Sequence, residues 1–360
     1  MSGYPRERLA NLACAQLKPC PARHVRTFRE YPLRPSGSSL KCDKTVDLES
    51  CDPEGQMSTA AALENGSSLT RPISPLRELG AYEALWTEPK ASFRTIAELF
   101  EKRPGAVPSD FVAEPEAMRY AQTVRDIFAH AGVSRFGLRI HGAGEYPEKL
   151  RNAEYPVEIL YFQGWWDLAD SPSVAVVGTR EPSEDGRARA RKLVRSLVRD
   201  NFTVVSGLAK GIDTEVHRTA IAEGGRTIAV IGTPLNLRYP KENARLQEQI
   251  AEEHLIISQV PVIRYRQTPN PTANRFFFVE RNITMAALSQ ATVIIEAGET
   301  SGTLVQARHA LKQGRKLFIL ESNFKNPALT WPAKFEEQGA VRVREYEDIR
   351  EHLAQASHQD

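Results

Sequence analysis

The chain has 360 residues, 41% hydrophobic and 26% charged, with a formal net charge of +2. That is room for two domains and a sizeable core; no run approaches the ~18 apolar residues of a membrane span, and no basic segment followed by an apolar core marks a secretory leader. Near-neutral overall charge excludes a uniformly basic nucleic-acid binder, so any polyanion site must be a local cluster of cations.

Residues 1–75 are rich in Pro, Ser and Arg and carry no apolar period, so they read as an unstructured tail. All four cysteines, Cys14, Cys20, Cys42 and Cys51, lie here at spacings that match no zinc pattern. Their absence from the rest of the chain is in keeping with a reducing cytoplasm. Residues 1–56 hold nine Lys/Arg and seven Asp/Glu, too many acids for a transit peptide. Met57 opens MSTAAALENGSS and reads as an alternative start, so that residues 1–56 are either untranslated or a dispensable tail.

From 76 to 132 the apolar residues recur every three or four positions, which predicts a small helical domain. Its last helix should bury Met118, Ala121, Val124, Ile127 and Phe128. FGLRI (136–140) and VEILYFQG (157–164) read as strands leading into the main domain, and Trp165 with Trp166 as a packed seam rather than a stacking platform for bases.

From Ser173 strands and helices alternate. Strands are predicted at 173–177, 202–206, 226–232, 254–258, 292–297 and 316–321. Helices fall at about 187–200, 211–223, 241–253, 281–289 and 302–313. Crossovers of a dozen or more residues require a parallel sheet with right-handed connections and helices on both faces. The fold class is therefore α/β. The main domain spans 133–322, and 323–360 complete it with a helix, a strand and a helix.

In such sheets ligands sit at the carboxyl ends of strands. Five loops there carry glycine or polar chemistry. After the all-apolar strand VAVV come Gly178, Thr179 and Arg180, a bare turn followed by a hydroxyl and a guanidinium. SGLAKGID brings Ser206, Gly207, Lys210 and Gly211, with Asp213 in a first helical turn. GTPLNLRYPKEN brings Lys241. The segment 260–282 interleaves Arg264, Arg266, Arg275 and Arg281 with aromatics. Phe276 and Phe277 read as core or dimer contact and Phe278 as a base-stacking candidate. EAGETSGTLVQA places Ser301, Gly302 and Thr303 at a helix start, where bare N–H groups would cradle an anion. The GxxxxGK[ST] and GxGxxG fingerprints are absent, as are metal-ligand spacings and any nucleophile paired in sequence with His217. No cofactor, metal or catalytic set is predicted.

Taken in order, VAVVGTR, FTVVSGLAKGID with His217, GGRTIAVIGTPLNLRYPKEN, FVERN and VIIEAGETSGTLVQARHALKQGRKLFIL resemble the DprA/Smf family of DNA-processing proteins. The resemblance covers about Glu145 to Leu320. It implies an extended Rossmann-like fold that binds single-stranded DNA, protects it and hands it to the RecA recombinase in natural transformation, as a homodimer. It implies a phosphate contact at Arg180, and at Arg281 and Asn282 within the family's F-P-x-R-N-R segment. Here Val279 replaces the proline and Ile283 the second arginine, which lowers the expected salt dependence by about one counterion. The winged-helix domain of some relatives is not matched. Two other readings use the same pocket. EAGETSGTLVQ is similar to the PGGxGTxxE loop of phosphoribohydrolases, but has Gln306 at the place of the catalytic glutamate, and a hydrolase without its general base should lose orders of magnitude in rate. A sensor of a small phosphorylated nucleotide would need the same phosphate cradle.

Overall fold

The computed structural model describes residues 73–356 apart from 144, 152, 154 and 269–271. The cysteines, the Met57 start and the expected tail lie outside the described residues. Helices α1 (Pro75–Thr87), α2 (Phe93–Glu101) and α3 (Glu114–His130) come first. Then follow β1 (Gly137–Ile140), α4 (Glu148–Arg151), β2 (Ile159–Gly164), β3 (Ser173–Val177), α5 (Glu184–Arg199), β4 (Thr203–Ser206), α6 (Ile212–Ala222) and β5 (Thr227–Ile231). After these come α7 (Ala244–Glu253), β6 (Leu255–Ser258), α8 (Val262–Gln267), α9 (Arg275–Leu288), β7 (Ala291–Ile294), α10 (Thr303–Lys312) and β8 (Lys316–Leu320). The last elements are α11 (Glu321–Phe324), α12 (Trp331–Glu337), β9 (Val341–Val343) and α13 (Tyr346–Ala356).

The strands form one sheet in the order β1-β2-β6-β5-β4-β3-β7-β8-β9. Strands β3 to β9 are mutually parallel, and the order reverses between β3 and β7. The lead-in differs from a purely parallel sheet: β1 pairs with β2, and β2 with β6, antiparallel. Strand β3 has the burial its sequence requires. Val174 and Val176 enter a cluster with α5, α6 and α13. Ala175 and Val177 enter another, on the opposite face, with α9, α10 and α12. Helix α5 starts on a Ser183 cap, whose Oγ accepts from the Gly186 N–H at 2.9 Å.

Helices α1 to α3 share a third cluster with α7, α8 and Phe277. Val124 and Phe128 are buried in it, Ala121 is buried on the same helix and Ile127 is partly buried, whereas Met118 is 44% exposed, contrary to the expected face. Glu83 of α1 is fully buried and ties these helices to the sheet. Its carboxylate accepts from the Tyr161 hydroxyl of β2 and from the N–H groups of Val262 and Ile263, which open α8. Burial raises its pKa, and those three donors oppose the rise. The Trp pair divides: Trp166 is buried against Phe162, but Trp165 is 64% exposed.

Two elements differ from expectation. Helix α9 begins at Arg275, six residues before the predicted start, and α8 was not expected at all. Polar Arg281 occupies an inward position of α9, which breaks the apolar period there. Helix α8 is under two turns long, too short to show a period.

Candidate functional site

The turn after β3 is clamped from two sides. Thr179 donates its N–H to the Glu296 carbonyl at 2.7 Å, its carbonyl accepts from the Ile212 N–H at 3.1 Å, and its Oγ1 accepts from the Glu181 N–H at 3.2 Å. Gly178 leaves no room for a side chain: a Cβ there would lie 2.6 Å from Ile212 Cγ1. Gly211 has φ +79°, and a Cβ on it would lie 2.4 Å from the Thr179 carbonyl oxygen. These two close approaches fix the backbone of Arg180 and leave its side chain exposed. Among the described residues it has neither a hydrogen bond nor an ion pair.

Arg180 lines a cleft with Gly207, Lys210, Gly232, Tyr239, Phe278 and Arg281, at the carboxyl ends of β3, β4 and β5. Its volume is about 60 Å³, the bulk of about two liquid waters. That is the scale of a single phosphate group rather than of a whole nucleotide. Arg281 forms the inner wall and is only 5% exposed. Its Nη1 donates to the Gly207 and Val230 carbonyls, and its Nε to Asn282 Oδ1 at 2.9 Å. Burial lowers its pKa, buried Asp213 opposes that, and Arg180 adds to it. Burial likewise raises the pKa of Asp213, against the field of Arg281 and the N–H groups of Ala209 and Gly207. Arg281 is thus a buried brace with a compensating carboxylate, and Arg180 is a cation at the mouth with no partner among the described residues.

The other predicted residues separate. Lys210 is exposed but paired with Glu242 at 2.6 Å; Lys241 is exposed and unpaired among the described residues. Ser206 is buried, and its hydroxyl donates to the Val176 carbonyl at 2.8 Å, which removes it from any ligand. Asn282 Nδ2 donates to the Gly302 carbonyl at 3.1 Å, joining α9 to the next turn. Ser301, Gly302 and Thr303 do not line the cleft. Most of the N–H groups at this helix start are also taken up within the turn. Those of Ser301, Leu304 and Val305 reach the carbonyls of Gly298, Ser301 and Gly302, and that of Thr303 reaches Ser301 Oγ. Thr303 Oγ1 donates to the Gly178 carbonyl at 3.3 Å, so this turn braces the first one from behind. Gln306 is buried with its amide on Thr292 Oγ1, facing the sheet.

His217 is fully buried beneath the loop after β4. Thr227 Oγ1 donates to the Val204 carbonyl at 2.8 Å, so the histidine Nδ1 donates to Thr227 at 2.7 Å. Burial, then His254 and Arg281, push its pKa down to about 3. It is a neutral structural imidazole rather than a general base. Phe277 is core, packed against Trp86 and Phe93. Phe276 stacks on it and is 38% exposed.

Two contributors escaped the sequence. Tyr239 is half exposed and meets half-buried Phe278 edge-on, with ring centroids 5.4 Å apart, while Phe278 rests against Gly232. A tyrosine beside a proline in a polar loop carries no signal of that pairing. Asn243 donates to the Leu208 and Ala209 carbonyls and to Thr214 Oγ1, at 2.8 to 3.2 Å. It thereby holds the loop after β4, where Leu208 sits at φ +58°.

The model of the DNA recombination-mediator protein A family matches residues 138–354. "Protein Smf" of Synechocystis is 40% identical over 183 residues, 50% of this chain and 44% of the relative, so the chain spans under half of that protein. "DNA processing protein DprA" of Streptococcus pneumoniae is 35% identical over 204 residues, 57% of this chain and 70% of the relative. The X-ray structure of the S. pneumoniae protein is similar with a TM-score of 0.55 at 29% identity, covering 77% of this chain and 92% of that one. A Helicobacter pylori DprA structure, whose description concerns its single-stranded DNA binding mode, aligns with a TM-score of 0.53 at 26% identity, over 62% of this chain and 97% of that one.

Proposed function

Because the chain belongs to the DNA recombination-mediator protein A family, we propose that it binds single-stranded DNA, gripping backbone phosphates in the cleft between β3, β4 and β5. Arg180 carries this reading: an exposed guanidinium without a partner among the described residues, held on a turn that two close backbone approaches fix. Lys241 adds a second unpaired charge nearby. Arg281, although buried, keeps the inner wall positive. The cleft is small, about 60 Å³, and cationic, which suits one backbone phosphate at a time. At its lip, Tyr239 and Phe278 offer aromatic surface to unpaired bases. The relative from H. pylori, described as a single-stranded DNA binder, supports the same ligand. Protection of the strand, its transfer to RecA, homodimerisation and a cytoplasmic place in transformation belong to this proposal. A hydrolase is disfavoured because Gln306 faces the sheet rather than the cleft. Among the described residues no helix is long and apolar enough to cross a membrane, and no cluster of His, Cys, Asp and Glu could hold a metal.

Fluorescence anisotropy with labelled oligo-dT of about 20 nucleotides, the corresponding duplex, and AMP tests the proposal. The expected order is oligo-dT far ahead of duplex, no saturable AMP binding, and oligo-dT affinity that falls steeply with salt. Saturable binding of AMP alone would overturn it.

A further inference from the structure

The rim of the phosphate cleft carries a carboxylate as well as cations. Lys210 lines the cleft, and its Nζ donates to Glu242 Oε1 at 2.6 Å, with both side chains exposed. The two backbone segments that carry this pair are fixed against each other right beside it. Asn243, only 3% exposed, donates to the carbonyls of Leu208 and Ala209 and to Thr214 Oγ1, at 2.8 to 3.2 Å. Ala209 directly precedes Lys210, and Glu242 directly precedes Asn243. A seam locked at 209 and 243 therefore sets the two charges face to face at 210 and 242. An exposed ion pair adds little to stability, and the Asn243 carboxamide already holds this seam. The pair has its consequence at the cleft rather than in the fold. Lys241, the neighbour of Glu242, is exposed with no partner among the described residues. The same turn thus offers one cation to a ligand and takes another out of use.

We propose that Glu242 stands in for a phosphate on Lys210, as an internal competitor that limits how tightly the cleft holds a strand and speeds the strand's release. A carboxylate and a phosphate oxygen accept from an ammonium in the same way. A strand bound at Arg180 gains a contact to Lys210 only by displacing an anion tethered to the same seam. When the strand leaves, the carboxylate retakes the ammonium, so departure leaves neither charge unpaired. The inference rests on the single-stranded DNA reading above, with Arg180 as the working phosphate contact and Lys210 held in reserve.

Glu242→Gln keeps the size of the side chain and removes its charge. Anisotropy titrations and dissociation chases with oligo-dT of about 20 nucleotides, over a range of salt, compare it with the unchanged chain. The variant should bind about fivefold more tightly at low salt, mostly through slower dissociation, as an added contact requires. Its log affinity should also fall more steeply with log salt, by about 0.7, the share of one further phosphate on a single strand. Adding Lys210→Gln to Glu242→Gln should abolish both gains. Equal affinity and slope in Glu242→Gln, while Arg180→Ala weakens binding, would overturn this inference and leave the strand reading standing. So would a gain that survives Lys210→Gln or lies only in faster association, since either marks plain repulsion of the strand by Glu242. Failure of every oligonucleotide to bind removes both proposals together.

Discussion

Two neighbouring turns at the carboxyl edge of the sheet carry the same kinds of residue and end in opposite states. The turn at 178–180 and the turn at 301–303 each hold a glycine and a threonine, and each lies beside a helix start. At 301–303 the chain bonds to itself: three N–H groups fold back on carbonyls, a fourth on Ser301 Oγ. At 178–180 the backbone is bound by other elements, through Glu296, Ile212 and Gly211, and the side chain of Arg180 is left over. An anion site needs donors that the fold fixes but does not use. A turn bonded mostly to itself has few to offer. A turn satisfied from outside can present its side chain.

Four substitutions press on this contrast. Arg281→Ala has the largest expected effect. It leaves Asp213 buried without its compensating charge and frees the Gly207 and Val230 carbonyls, at a cost of about 3 kcal/mol in stability. A urea melt with unchanged m-value and a lowered midpoint would record it. His217→Gln comes next and reads out through pH. The folded pKa of His217, about 3, lies below the unfolded value near 6.5. The unfolded chain therefore takes up the proton first as pH falls, so stability is complete above 6.5 and is lost between 6.5 and 3. By pH 5 that loss is about 2 kcal/mol. Melts at pH 7 and pH 5 should show a smaller drop for the variant than for the unchanged chain. Arg180→Ala should leave the melt unchanged and weaken oligo-dT binding by about 1–3 kcal/mol, with a shallower salt slope. Ser301→Ala is the smallest, with strand affinity altered by less than about 0.5 kcal/mol. If Ser301→Ala weakens binding as much as Arg180→Ala, the two turns are one site after all and the contrast fails.

The sequence carried the architecture well because the parallel strands are apolar on both faces. VAVV, TIAVI and LIIS lie where period and composition put them. It carried the location of the cleft for the same reason, since the loops that follow such strands share one edge. The roles of individual residues were less legible, because they depend on partners distant in the chain. Nothing in SGLAKGID says that the Ser206 hydroxyl turns to Val176, or that Lys210 meets Glu242 across 32 positions. The start of α9 was hidden by its own function. Arg281 points inward to brace the loop after β4, and a charge at an inward position looks like the end of a helix.

Glu83 has one more consequence. A carboxylate on the first helix supplies acceptors to a strand tyrosine and to two amides of a helix some 180 positions later. The helices before β1 are therefore wired into the sheet rather than appended to it. Cutting the chain after α3 would strand those donors in a dry wall, so the smallest autonomous unit must begin ahead of α1. The same carboxylate joins α1 to β2 and α8 at once, which anchors the first helix at the sheet's antiparallel margin.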